Sequence, residues 1–171
     1  MHTPEIRLRP ISGEDLPFLR ELYASTRTEE LASLLWDQAA KDAFLDQQFN
    51  AQHSYYQTHF PHAEFLLIEH AGHPMGRAYL LWDGAHLQII DLALIPAWRG
   101  QGIGSQLLHG WLSRADAQGL SVGLHVESYN PAQNLYLRNG FAVAGENGVY
   151  LKMLRPPCLP HRHLPRNATC T

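Results

Sequence analysis

The chain has 171 residues, 45% of them hydrophobic and 17% charged, where soluble domains carry about 25% charged residues. That composition supplies a core and excludes a mainly disordered chain. A net charge of -3 with neutral histidines, and no block of like charges, excludes the electrostatic footprint of a nucleic-acid or anionic-membrane binder.

Ile6, Leu8 and, after Pro10, Ile11 alternate, which predicts a short edge strand over 5–11. Ser12 and Asp15 have capping-box spacing, and Leu16, Leu19 and Tyr23 then recur at helical intervals, with Pro17 in the first turn. A second helical region is predicted from Glu29. A longer one runs from Asp37 to His59, closed by Pro61, with Leu45, Phe49, Gln52 and Tyr56 on one stripe.

From Glu64 the period changes to that of strands. Phe65–Ile68, Gly76–Trp82 and His86–Ile95 are separated by the turn signals Ala71–Pro74 and Asp83-Gly84, which predicts an antiparallel meander. The run Ala78–Trp82 is far shorter than the ~20 apolar residues of a membrane span. Ile103, Leu107, Leu108, Trp111, Leu112 and Ala115 mark an amphipathic helix with Gly119 as its cap, and 121–127 alternates as a strand. Asn130-Pro131 reads as the N-cap of a short helix ending at Asn139-Gly140. Phe141–Ala144 and Val149–Leu154 flank Gly145–Gly148 as a final hairpin.

The order β-α-α-β-β-β-α-β-α-β-β predicts one mixed α/β (α+β) domain over 1–155 and a Pro/His-rich tail over 156–171. Cys158, Cys170, His161 and His163 fall in that tail and match no zinc spacing, so no metal is expected. The cysteine usage and the absence of a basic-then-apolar start point to a cytoplasmic, disulfide-independent protein.

The most informative segment is Ile89–Ser105. An apolar strand ends at Pro96 and passes through Arg99-Gly100-Gln101-Gly102-Ile103-Gly104-Ser105 straight into a helix. Glycines let a backbone approach a ligand, and the first helical N–H groups are unpaired donors at the positive end of a dipole. Such a turn suits a pyrophosphate. The P-loop pattern is absent, and a dinucleotide fingerprint needs glycine or alanine where Ser105 stands.

Arg99-x-x-Gly102-x-Gly104 after this strand resembles the acyl-CoA signature of the GNAT superfamily of N-acetyltransferases. Asn130 to Phe141, with Leu135-Tyr136 and Gly140-Phe141, is similar to that family's fourth-helix motif, with one residue fewer between asparagine and tyrosine. The resemblance covers about 5–155. It implies a mostly antiparallel sheet with a V-shaped splay between strands 87–95 and 121–127, flanked by helices. It also implies that Arg99, Gly100, Gln101, Gly102, Ile103, Gly104 and Ser105 hold the pyrophosphate of acetyl-CoA. Leu92, Ala93 and Leu94 would pair with the pantetheine arm, and Asn130 would contact the cofactor.

Acetyl transfer to an amine by direct attack needs a neutral amine, a polarised carbonyl and a proton for the thiolate. Tyr136 is the expected acid, because a phenol of pKa about 10 is protonated at neutral pH. His125 and Glu127 share one face of their strand and are the candidate bases, beside Asp91 and a water-relayed route. Gln48, Gln52 and Tyr56 of the long helix are expected to meet the acceptor. The expected substrates are acetyl-CoA and a small-molecule or peptide amine, with neither nucleic acid nor membrane as partner, and a homodimer is left open. The alternatives are transfer of another acyl group and a CoA-binding sensor or interaction module without turnover.

Overall fold

Among residues 5–159, which the computed structural model describes, the chain forms seven strands and four α-helices. They are β1 (Arg7–Pro10), α1 (Leu16–Ala32), α2 (Gln38–His59), β2 (Glu64–His70), β3 (His73–Trp82), β4 (His86–Leu94), α3 (Ile103–Ala117), β5 (Ser121–Glu127), α4 (Gln133–Arg138), β6 (Ala142–Asn147) and β7 (Tyr150–Arg155). The sheet order is β1-β2-β3-β4-β5-β7-β6. β1 and β2, β5 and β7, and β6 and β7 pair antiparallel, whereas β4 and β5 pair parallel. This is the mixed, mostly antiparallel α/β architecture expected. None of the described helices is long and apolar enough to cross a membrane.

Contacts divide the chain into two compact units, one of Met1–Tyr79 with Leu92–Gln101, the other of Leu80–Asp91 with Gly102–Thr171. In the first, Leu19, Tyr23, Phe49 and Leu67 form a buried cluster backed by Ile11, Leu16, Phe18 and Leu45. The chain enters α1 through a short 3-10 turn in which the Ser12 N–H donates to Asp15 Oδ2 at 2.8 Å. Arg9 forks onto both Asp15 oxygens, at 2.8 and 2.9 Å, and reaches Glu69 Oε2 at 3.0 Å. The separate helix predicted from Glu29 does not exist, because α1 runs unbroken to Ala32. Hydroxyl side chains such as those before Glu29 compete with helical bonding in general. Here they bond back to carbonyls within the helix, Ser25 to Leu22 and Thr28 to Ala24.

The β2–β3 turn is tighter than predicted. Ala71 and Gly72 take φ of 49° and 78°, as the two central residues of a hairpin turn require, and His73 and Pro74 join β3. A side chain at Gly76 would collide with the Ala93 carbonyl, so glycine there permits the close approach of β3 to β4.

In the second unit, Ile103, Leu107, Leu108, Trp111, Leu112 and Ala115 form the buried face of α3, and Leu87, Ile89, Val122, Leu124 and Val126 are buried in the strands. Arg155 makes a bidentate pair with Asp116, at 2.8 and 3.0 Å. α4 begins at Gln133, later than the predicted N-cap at Asn130. Asn130 closes a turn ahead of the helix, its Oδ1 accepting the Ala132 N–H at 2.9 Å. The β6–β7 loop shrinks to Gly148-Val149 because Gly145–Asn147 pair with Lys152–Tyr150 after a register shift. Cys158 is disulfide-bonded, contrary to the disulfide-independent expectation. Cys170, His161 and His163 lie outside the described residues.

Candidate active site

β4 leads through a 3-10 turn, Pro96–Trp98, into the glycine loop and then α3. Gly100 and Gly102 take left-handed φ of 72° and 80°, which a side chain would strain. The space where their Cβ atoms would stand is empty. Gly102 is the N-cap of α3, and its carbonyl accepts Gln106 N–H at 3.0 Å. The N–H groups of the first helical turn therefore have no acceptor within the helix. Gly104 is also clear on its outer side, with only Leu135 Cδ2 at 3.7 Å. Arg99 donates from Nε to the Leu94 carbonyl at 2.8 Å and from Nη2 to Ser25 Oγ at 3.3 Å. Gln101 donates to the Ala97 carbonyl at 2.8 Å. These two side chains shape the loop while its amides stay available.

The parallel ladder between β4 and β5 runs from His86↔Ser121 to Ile89↔Leu124 and stops there. β5 turns instead to β7 and stays paired with it through Glu127↔Tyr150. Beyond the last parallel pair, Asp91 on β4 and His125 and Glu127 on β5 belong to strand segments no longer bonded to each other. His125 is exposed and Glu127 half-buried.

Tyr136 on α4 is 7% exposed, its ring 5.6 Å from that of Phe141. Its hydroxyl makes no hydrogen bond among the described residues. Burial first, then the charges of Asp91 and Glu127, push its pKa up to about 12. Asn130 donates from Nδ2 to Glu127 Oε2 at 3.1 Å.

The three acceptor candidates of α2 lie in the first unit. Gln52 Oε1 accepts from Arg77 Nη2 at 2.7 Å. Tyr56 stacks edge-on against Tyr79, with 5.7 Å between ring centres. Gln48 lines a small cavity of about 120 Å³ with Tyr23, Arg27, Glu30, Leu31 and Phe44. Sequence reasoning passed over a larger groove of about 410 Å³ lined by Trp36, Asp37, Ala40, Ala43, Phe44 and Gln47. Leu34, Leu35 and Trp36 before it are all exposed, Leu35 fully. The signal was present in the sequence: three consecutive large apolar residues without helical spacing, just before the Asp37 cap. Among the described residues no cluster of histidine, cysteine and carboxylate side chains suits a metal ion.

The fold and this loop define an acyltransferase. The chain belongs to the acetyltransferase (GNAT) family, whose model matches residues 20–141, and it is an N-acetyltransferase of that family. It is 34% identical over 143 residues, 81% of this chain and 82% of the relative, to a Bacillus subtilis (strain 168) protein named "Putative ribosomal protein bS18-alanine N-acetyltransferase". Among solved structures, a PaiA N-acetyltransferase from Thermoplasma acidophilum in complex with coenzyme A shares the fold. Its TM-score is 0.66 at 20% identity, covering 89% of this chain and 99% of that one. A GNAT family acetyltransferase from Elizabethkingia anophelis with acetyl-CoA bound matches with a TM-score of 0.57 at 19% identity, covering 88% and 97%.

Proposed function

We propose that this chain, as one domain over 1–155 in the cytoplasm, transfers the acetyl group of acetyl-CoA to a primary amine by direct attack, with both substrates bound together. The observation that carries the reading is the loop: left-handed Gly100 and Gly102, open above, deliver unpaired amides at the positive end of α3. The open space at the Cβ positions of Gly100 and Gly102 supports a pyrophosphate there. Leu92–Leu94 offer main-chain groups to the pantetheine arm as an added strand would.

A lysine-like amine of pKa about 10.4 must lose a proton before it attacks, at a cost of about 4–5 kcal/mol at neutral pH. His125 and Glu127 are the groups on β5 placed to take that proton, directly or through water. Tyr136, with its pKa pushed up to about 12, stays protonated across the working range. It gives its proton to the departing thiolate, whose proton affinity rises in the same dry surroundings.

A peptide amine suits the molecule better than a small polar amine. The groove beside Trp36 and Phe44 is apolar, and an exposed apolar surface of this kind marks a place of contact with another chain. The Bacillus relative is named for a ribosomal-protein alanine. The test incubates the purified protein and acetyl-CoA with a peptide bearing a free N-terminal alanine, its N-terminally blocked form, and simple amines. Release of CoA thiol with a mass gain of one acetyl group on the free peptide supports the reading. Binding of acetyl-CoA without thiol release from any acceptor would return the chain to a binding module.

A further inference from the structure

We propose that Asn130 is a positioning residue, which fixes the Glu127 carboxylate as the acceptor of the incoming amine's proton instead of contacting the acyl donor. The inference rests on the amine-transfer reading above and assigns the proton acceptor that reading leaves between His125 and Glu127.

The orientation of the Asn130 amide follows from its neighbours. The Ala132 N–H can only donate, and it meets Oδ1 at 2.9 Å. The other end of the amide is therefore Nδ2, which donates to Glu127 Oε2 at 3.1 Å. The main chain is held as firmly. The Asn130 N–H donates to the Glu127 carbonyl at 3.0 Å, and Gln133 Nε2 donates to the same carbonyl at 3.2 Å. On its other side Glu127 pairs with Tyr150 of β7. One carboxylate oxygen is thus fixed in place. The second, Oε1, has no partner among the described residues.

The kind of partner matters. Asp15 and Asp116 are each held by an arginine, and each is pulled below the usual carboxylate range by that hydrogen-bonded guanidinium. Glu127 is held by a neutral amide, which fixes its geometry without adding a positive charge to the pair. The residue stands past the point where β4 and β5 part, and its charge helps raise the pKa of the Tyr136 phenol. The titratable groups around it are Asp91 on β4, Tyr136 on α4, His125 on β5, and Tyr150 and Lys152 of β7, which pair with Glu127 and His125.

In the step assigned, the acceptor ammonium gives one proton to Glu127. The amine nitrogen then forms its bond to the acetyl carbonyl carbon, and the carbon–sulfur bond breaks. The sulfur takes the Tyr136 phenolic proton. The second nitrogen proton restores the phenol, and Glu127 releases its own proton to solvent, so one proton leaves per turnover.

The test compares Asn130→Asp, Asn130→Ala, Glu127→Gln and the double variant Glu127→Gln/Asn130→Asp, all with the alanyl peptide and with a second acceptor of different amine pKa. Asn130→Asp keeps the acceptor for the Ala132 N–H but sets an oxygen against Glu127 Oε2. Its acidic limb of kcat/KM should move up by about one pH unit, near a tenfold loss at the acid side, with the acetyl-CoA Kd within about twofold by calorimetry. Asn130→Ala should lower kcat with the limb displaced less. Glu127→Gln should leave only the limb that follows the acceptor's own amine pKa, about 7.7–8.0 for the alanyl peptide, and adding Asn130→Asp should then change nothing further. An unmoved limb in Asn130→Asp, or acetyl-CoA affinity weakened about tenfold beside an unmoved limb, overturns the proposal and restores the donor-contact role. With two acceptors of different amine pKa, an acidic limb that survives Glu127→Gln and does not move with the acceptor overturns the assignment at its root by removing Glu127 as base, while acetyl transfer by another base stands.

Discussion

Gln52 on α2 and Tyr136 on α4 are both polar side chains set into the apolar face of a helix, and their surroundings differ. Gln52 meets Arg77, which is 4% exposed and lies 4.7 Å over the Tyr79 ring. Gln52 supplies one of the acceptors of the buried guanidinium. The Tyr136 ring is buried, yet its hydroxyl has no partner among the described residues and is not fully buried, so the oxygen opens onto accessible space. Burial first, then two carboxylate charges, push its pKa up. Buried polar groups in a folded protein are usually paired, because an unpaired one costs free energy. A buried pair therefore reads as structure, and a hydroxyl that opens from a buried ring onto accessible space reads as a group that can meet a substrate.

The largest effect that bears on this contrast lies in the loop. Gly102→Asp forces a side chain onto a left-handed backbone and sets a negative charge where the pyrophosphate is proposed to sit. Acetyl-CoA affinity measured by calorimetry should fall by about a hundredfold or more in the folded variant. Next comes Gln52→Ala, which leaves the buried Arg77 short of an acceptor. Urea unfolding should show a loss of about 1–3 kcal/mol. Tyr136→Phe should instead change stability by about 0.5 kcal/mol or less, because it removes a hydroxyl that nothing in the described chain bonds. Equal losses in these two variants would erase the distinction between them.

A smaller effect concerns pH. Hydrogen bonds from Arg9 hold Asp15 below its ordinary value of 3.8. A depressed carboxylate contributes stability that is complete above the unfolded pKa and is lost as pH falls through the folded one. Unfolding followed below about pH 4 should therefore be less steep in Asp15→Asn than in the natural chain. At the other extreme, one tyrosine should ionise near pH 12 in an ultraviolet titration, and that step should vanish in Tyr136→Phe.

The loop was legible in the sequence because its chemistry is local: two glycines at positive φ leading into an amphipathic helix are written in consecutive residues. The strand that follows α3 was legible for the same reason, and 121–127 is the observed β5 to the residue. What depended on distant partners was not. Gln52 meets Arg77 from 25 residues away, and no spacing within α2 announces it. Asn130-Pro131 carried a helix-cap signature, yet its side chain serves a turn and a carboxylate, which only the fold brings together. A second helix was expected from Glu29, yet α1 runs unbroken to Ala32, and Ser25 and Thr28 bond back into it.

The most direct test of the central claim, that the Tyr136 hydroxyl serves the reaction and not the core, is the steady-state kinetics of Tyr136→Phe with acetyl-CoA and the alanyl peptide. The account predicts a fall in kcat of about tenfold or more, with acetyl-CoA affinity and thermal stability nearly unchanged. Full kcat in that variant would contradict it and make Tyr136 a residue of the α4 core.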